Sequence, residues 1–154
     1  MSLKLPNRLR YLLFAASATA GTVSGLVYGY FLYFCESHDP YSVVNHPLQP
    51  LFRTLHVVTV PAMAMMLAVF WIAHAWPYIQ ADHRRGLRTG LVLGLTSLPM
   101  IFSGYFLQVS VAELWTQFWM WLHIGSSVGW ILGIIFHVVT HRRRRSPART
   151  PSDG

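Results

Sequence analysis

The sequence predicts an all-α protein, a four-helix transmembrane bundle with both termini on the cytoplasmic side. Three observations predict it. Only 11% of the 154 residues are charged while 53% are hydrophobic, and the mean hydropathy is +0.39. Soluble domains carry roughly 25% charged residues, so the expected solvent is lipid. Four runs free of Asp, Glu, Lys and Arg extend over Tyr11–Cys35, Thr54–Ala81, Thr89–Ala112 and Leu114–Thr140, each longer than the roughly 20 residues that span a hydrocarbon core. Finally, the cations alternate in side. Lys4, Arg8 and Arg10 precede the first run, Arg84, Arg85 and Arg88 follow the second, and Arg142 to Arg145 with Arg149 follow the fourth. Of the twelve Lys and Arg only Arg53 falls on the other side, beside Glu36, Asp39 and Glu113. That is a positive-inside pattern, and it explains the net charge of +7 better than a nucleic-acid partner does.

The expected spans are about 11–35, 51–80, 89–112 and 114–140, forming one domain over 1–141, with 142–154 as a basic, disordered cytoplasmic tail. The first span begins like a signal peptide, with basic residues, an apolar core and Ala18-Thr19-Ala20. Its apolar run continues through Gly25 to Phe31, which favours a retained helix. Gly21, Gly25 and Gly29 repeat every four residues and allow a close neighbour, either a helix or a flat cofactor. The following loop is the longest connection. Asp39-Pro40 and Asn45-His46-Pro47 mark turns, Pro50 suits the first turn of the next helix, and His38 and His46 read as solvated loop histidines.

The second span holds His56 near its outer end and His74 near its inner end, eighteen residues apart. Val60, Met63, Leu67 and Phe70 fall between them on the same face. Pro61 predicts a kink, and Trp76, Pro77 and Tyr78 mark the inner interface. The third span carries no histidine and no charge, and with Pro99 and Gly104 it reads as a bent wall of the bundle. The fourth opens with an aromatic belt of Trp115, Phe118, Trp119 and Trp121. It carries His123 and His137, fourteen residues apart, with Trp130 between them. Gly125, Gly129 and Gly133 form a second glycine repeat.

At about 100° per residue the histidines of each pair lie about 0° and about 40° apart, on one face of each helix. Histidine inside a membrane is a functional-site hypothesis by default, and two pairs on two parallel spans suggest four ligands for two metal centres. The single cysteine, Cys35, excludes a disulfide and any Cys-rich metal site. The local Cys35-Glu36-Ser37-His38 is not the C-x-x-C-H that attaches a covalent haem. Spans two and four run in the same direction, so His56 shares an outer level with His123, and His74 an inner level with His137. A haem between these spans would take one imidazole from each, leaving no vacant iron position and favouring electron transfer. The two centres would sit roughly 20 Å apart along the normal. Arg53, three residues before His56, is placed to pair with propionates of the outer haem.

On these residues the chain resembles the small di-haem b-type membrane cytochromes, four-helix proteins of respiratory electron transfer in which paired histidines on two helices ligate stacked haems. The resemblance covers spans two to four. It implies two non-covalent b-type haems, His56 and His123 on the outer iron and His74 and His137 on the inner. It also implies a bacterial inner-membrane location, and electron relay between a quinone pool and a redox partner protein or a larger membrane oxidoreductase. One departure stands out: the eighteen-residue spacing exceeds the fourteen, a mismatch of about 6 Å at 1.5 Å per residue. His141, eighteen residues after His123, is the alternative inner ligand, although it abuts four arginines. Asp39 and His46 outside, or Asp82 and His83 inside, are candidates to exchange quinone protons. Two rival readings are a non-redox anchor or assembly subunit and a histidine-lined metal or proton transporter. The second is disfavoured by spans that contain no Asp or Glu.

Overall fold

The computed structural model describes residues 6–81 and 87–143, with side chains as far as Thr140 in the last helix. Asp82 and His83, the tail from Arg144 onward and the side chain of His141 lie outside the described residues. Every described element is helical: α1 (Asn7–Tyr33), α2 (Gln49–Phe70), a π-helical turn (Trp71–Ala75), α3 (Trp76–Gln80), α4 (Leu87–Val109) and α5 (Glu113–Arg143). Four helical stretches, Asn7–Tyr33, Gln49–Gln80, Leu87–Val109 and Glu113–Thr140, are long and apolar enough to cross a membrane. They match the four expected spans to within a few residues. Pro50 lies in the first turn of α2, where its missing N–H costs no hydrogen bond. α2 runs through Pro61, and the departure from α geometry comes ten residues later, in the π turn around His74.

The chain divides into two compact units, Met1–Ala73 and His74–Gly154. The first is an antiparallel hairpin of α1 and α2. Phe14 and Tyr11 meet Phe70 at one end, with ring centroids 4.5 Å and 5.2 Å apart. Gly21 faces Met63 in the middle, and Phe31 packs edge-on against Phe52 at the other end. The connecting loop is tied down rather than loose. The Asn45 side-chain amide donates to the Leu32 carbonyl at 2.8 Å, and the His46 ring stacks on Phe31 at 4.0 Å.

The second unit is an antiparallel hairpin of α4 and α5. Leu93 lies over Gly133, and Phe106 stacks on Trp119 at 4.4 Å. Of the four aromatic residues that open the span, Trp115, Phe118 and Trp119 pack on one another, and Trp121 is exposed.

α1 and α4 bring mostly small residues to the two interfaces. α1 buries Ala18, Gly21 and Ser24, and α4 buries Ser97, Met100 and Ser103. Large apolar side chains point outward instead: Met65 is 66% exposed, and Leu26, Ile72 and Leu132 are equally open. In water such a surface would aggregate. In lipid, where tails are as apolar as leucine, helices associate through close backbone approach and small residues meet at the interface. Ser103, 0% exposed, is therefore expected to tolerate no added volume. Ser103→Leu should lower stability by about 1–3 kcal/mol through overpacking. Gly129→Ala, whose new methyl meets nothing within 4 Å, should change it by less than about 0.5 kcal/mol. Thermal unfolding in detergent micelles measures both.

Candidate functional site

Each of the four span histidines is half-buried in its unit. Two of them are held by the same kind of contact. His56 Nδ1 lies 2.9 Å from the Gly21 carbonyl oxygen of α1. His123 Nδ1 lies 2.9 Å from the Met100 carbonyl oxygen of α4, with Ser103 Oγ at 3.4 Å. A carbonyl only accepts, so Nδ1 is the donor in both rings. The neutral imidazole then carries its lone pair on Nε2, the arrangement in which a metal-ligating histidine is oriented by a hydrogen bond from its other nitrogen.

This contact needs helices in close approach, and glycine supplies it. A Cβ on Gly25 would stand 2.7 Å from His56 Cε1 and 2.9 Å from Nδ1. A Cβ on Gly104 would stand 3.0 Å from His123 Cε1 and 3.2 Å from Nδ1. Of the first glycine repeat, Gly25 thus makes room for an imidazole, Gly21 lends its carbonyl and faces the Met63 sulfur, and Gly29 has nothing within 4 Å. In the second repeat only Gly133 meets a neighbour, Leu93, while Gly125 and Gly129 open onto space.

His137 and His74 are seated differently. His137 Nδ1 is 2.9 Å from Thr89 Oγ1, a hydroxyl that can donate or accept, so this contact leaves both tautomers available. The His74 ring packs against Tyr78 at 5.2 Å, within and just after the π turn. A π turn accommodates an extra residue in a helix and is frequent at functional sites. Here it falls on the span whose histidine spacing is in excess.

Arg53 sits exposed one turn before His56. Of the loop candidates, His38 is exposed and Asp39 builds a turn, its Oδ1 accepting from the Tyr41 N–H at 3.0 Å. His46 accepts the Leu48 N–H on Nδ1 at 3.1 Å. Its neutral tautomer is therefore the reverse of that in His56 and His123, which suits a loop anchor rather than a partner of the same chemistry.

Trp130 adds a further feature. It is 3% exposed, on α5 midway between His123 and His137, and among the described residues its Nε1 is buried with no hydrogen-bond partner. Among the described residues no group of three or more His, Cys, Asp or Glu converges. An iron held by a haem needs only two axial side chains. The Nδ1–H tautomers of His56 and His123, which leave the lone pair on Nε2, have the chemistry that axial ligation of a haem iron asks of a histidine.

Sequence reasoning missed the part played by α4. Read as a plain wall, it supplies the Met100 carbonyl, Ser103 and Gly104 to His123 and Thr89 to His137. The Ser-Gly dipeptides Ser24-Gly25 and Ser103-Gly104 were the available signal. Backbone carbonyls leave none.

The chain matches no family model, no curated protein and no solved structure. Fold and site define a helical protein with four membrane-spanning candidates, in which His56, His123 and His137 are seated against the facing helix of their own hairpin. Gly25→Val is expected to push the His56 ring off the Gly21 carbonyl. The slowly exchanging His56 Nδ1–H resonance should disappear from nitrogen-resolved NMR spectra, while that of His123 stays.

Proposed function

We propose that the chain is an integral membrane b-type cytochrome that relays electrons across the bilayer through two bis-histidine haems. His56 and His123 serve the outer iron, and His74 and His137 the inner, with His141 as the alternative inner ligand. The observation that carries this reading is the shared seat of His56 and His123, each giving its Nδ1 proton to a helix carbonyl at 2.9 Å. In an apolar interface a histidine without such a partner costs several kcal/mol. The partner chosen here also keeps the metal-binding nitrogen in its ligating form.

When bound, such a haem supplies one-electron exchange without an open coordination position. The protein's own residues do the rest. Gly25 and Gly104 admit the rings, the Gly21 and Met100 carbonyls hold their orientation and raise ligand basicity, and Arg53 offers charge to propionates at the outer end. Trp130 presents its N–H at mid-span. Electrons would pass between a quinone pool and a redox partner, alone or as the membrane subunit of a larger oxidoreductase, in a bacterial inner membrane with both termini cytoplasmic. Asp39 and His46 would act only as weak candidates for quinone protons, since both already serve the loop. A second reading, a non-redox anchor or assembly subunit, is favoured by the open faces at Gly29, Gly125 and Gly129, which leave room for another helix.

The reduced-minus-oxidised spectrum of the purified chain, with a haem count, separates the two. About two haems per chain are expected, and alanine at His56, His74, His123 or His137 should each remove about one. A chain without haem favours the anchor. Loss of the inner haem in His141→Ala but not in His137→Ala would move the inner ligand.

A further inference from the structure

The two hairpins carry the same device at matching positions. One constant offset takes Ala18, Gly21, Ser24 and Gly25 of α1 onto Ser97, Met100, Ser103 and Gly104 of α4. The first three of each set are the residues each helix buries. A second constant offset takes Leu55, His56, Thr59 and Met63 of α2 onto Leu122, His123, Ser126 and Trp130 of α5. Met63 is 5% exposed and Trp130 3%, each two turns inward of its histidine.

The hydrogen bonds repeat with the positions. Ser24 Oγ donates to the Ala20 carbonyl at 2.6 Å and lies 3.2 Å from that of Gly21. Ser103 Oγ donates to the Pro99 carbonyl at 2.5 Å and lies 3.2 Å from that of Met100. In both hairpins the second carbonyl is the one that takes the imidazole proton, four residues before the glycine that clears the ring. Past each histidine, Thr59 bonds back to Leu55 and Ser126 to Leu122. Thr140 does the same after His137, so this last feature is general to the helices. The likeness ends inward of Met63 and Trp130: Phe70, packed on Tyr11 and Phe14, stands where α5 has His137 on Thr89.

We infer that α1–α2 and α4–α5 are two copies of one histidine-presenting hairpin, and that Ser24 and Ser103 are matched positioning residues for His56 and His123. A hydroxyl bonded back to the preceding turn bends a helix locally, and here it bears on the carbonyl that faces the ring. Each serine thereby sets the strength of the Nδ1–H contact and, through it, the basicity of the ligand. The role in the outer centre rests on the cytochrome reading. The hairpin repeat itself does not.

The experiment compares Ser24→Ala, Ser103→Ala and the double variant in the full chain. Each is expected to keep the haem content of the unaltered protein. Redox titration should show both single variants moving the midpoint potential of one and the same haem in the same direction, the double by about the sum, and the other haem staying put. Retained haem with no shift, or shifts in different haems, overturns the positioning role. If the chain holds no haem, the cytochrome reading fails, and nitrogen-resolved NMR of the histidines decides the repeat alone. Both rings should then be Nδ1–H tautomers, with Ser24→Ala moving only the His56 signal and Ser103→Ala only that of His123. Unequal tautomers, or signals indifferent to the serines, overturn the inference.

Discussion

An imidazole that must give its proton away inside an apolar interface constrains everything around it. His56 and His123 lie in segments with no Asp or Glu to receive that proton, and the facing helix supplies a backbone carbonyl. Carbonyls inside a helix are already engaged by the amide four residues on, and only their second lone pair is available. Reaching it demands that the ring lie against the helix surface, where a Cβ at 25 would stand 2.7 Å and one at 104 3.0 Å from the ring. The hydrogen bond, the glycine and the tight pairing of α1 with α2 and of α4 with α5 are therefore one arrangement seen from three sides.

The remainder of each hairpin follows from the same solvent. Helices in lipid gain little from burying leucine, since the tails are equally apolar, and they meet instead through small residues and satisfied polar groups. Ser24, Ser97 and Ser103 are buried, and each bonds back to its own helix. Rings gather toward the ends, at Phe31, His46 and Phe52 in the first hairpin and at Phe106, Trp115 and Trp119 in the second. Between the ring clusters each hairpin holds its histidine and the cradle that seats it.

His56 and His123 are unlike His74 and His137 for a reason visible in the packing. The first two sit where each hairpin offers a serine–glycine step and a carbonyl. Of the others, His137 meets a hydroxyl and His74 lies in a π turn, and the first hairpin closes with an aromatic cluster on Phe70. A ligand held by an acceptor-only group has a set tautomer and raised basicity, and one held by a hydroxyl keeps more freedom. Two centres built on these pairs would not be equivalent.

The four apolar spans and their boundaries to within a few residues were legible in the sequence, because charge exclusion is a local property that lipid enforces residue by residue. The first glycine repeat was legible as a place of close helix approach, and α2 makes that approach through the His56 ring and Met63. Which ring atom of His56, His123 and His137 is engaged, the service α4 gives to two histidines, the anchoring role of His46 and Asn45, and the π turn around His74 came only from the tertiary structure. The physical reason is common to them all. A backbone carbonyl has no letter in the sequence, and which carbonyl faces which imidazole is decided by how two helices settle against each other, a matter of packing at the scale of a single methyl group.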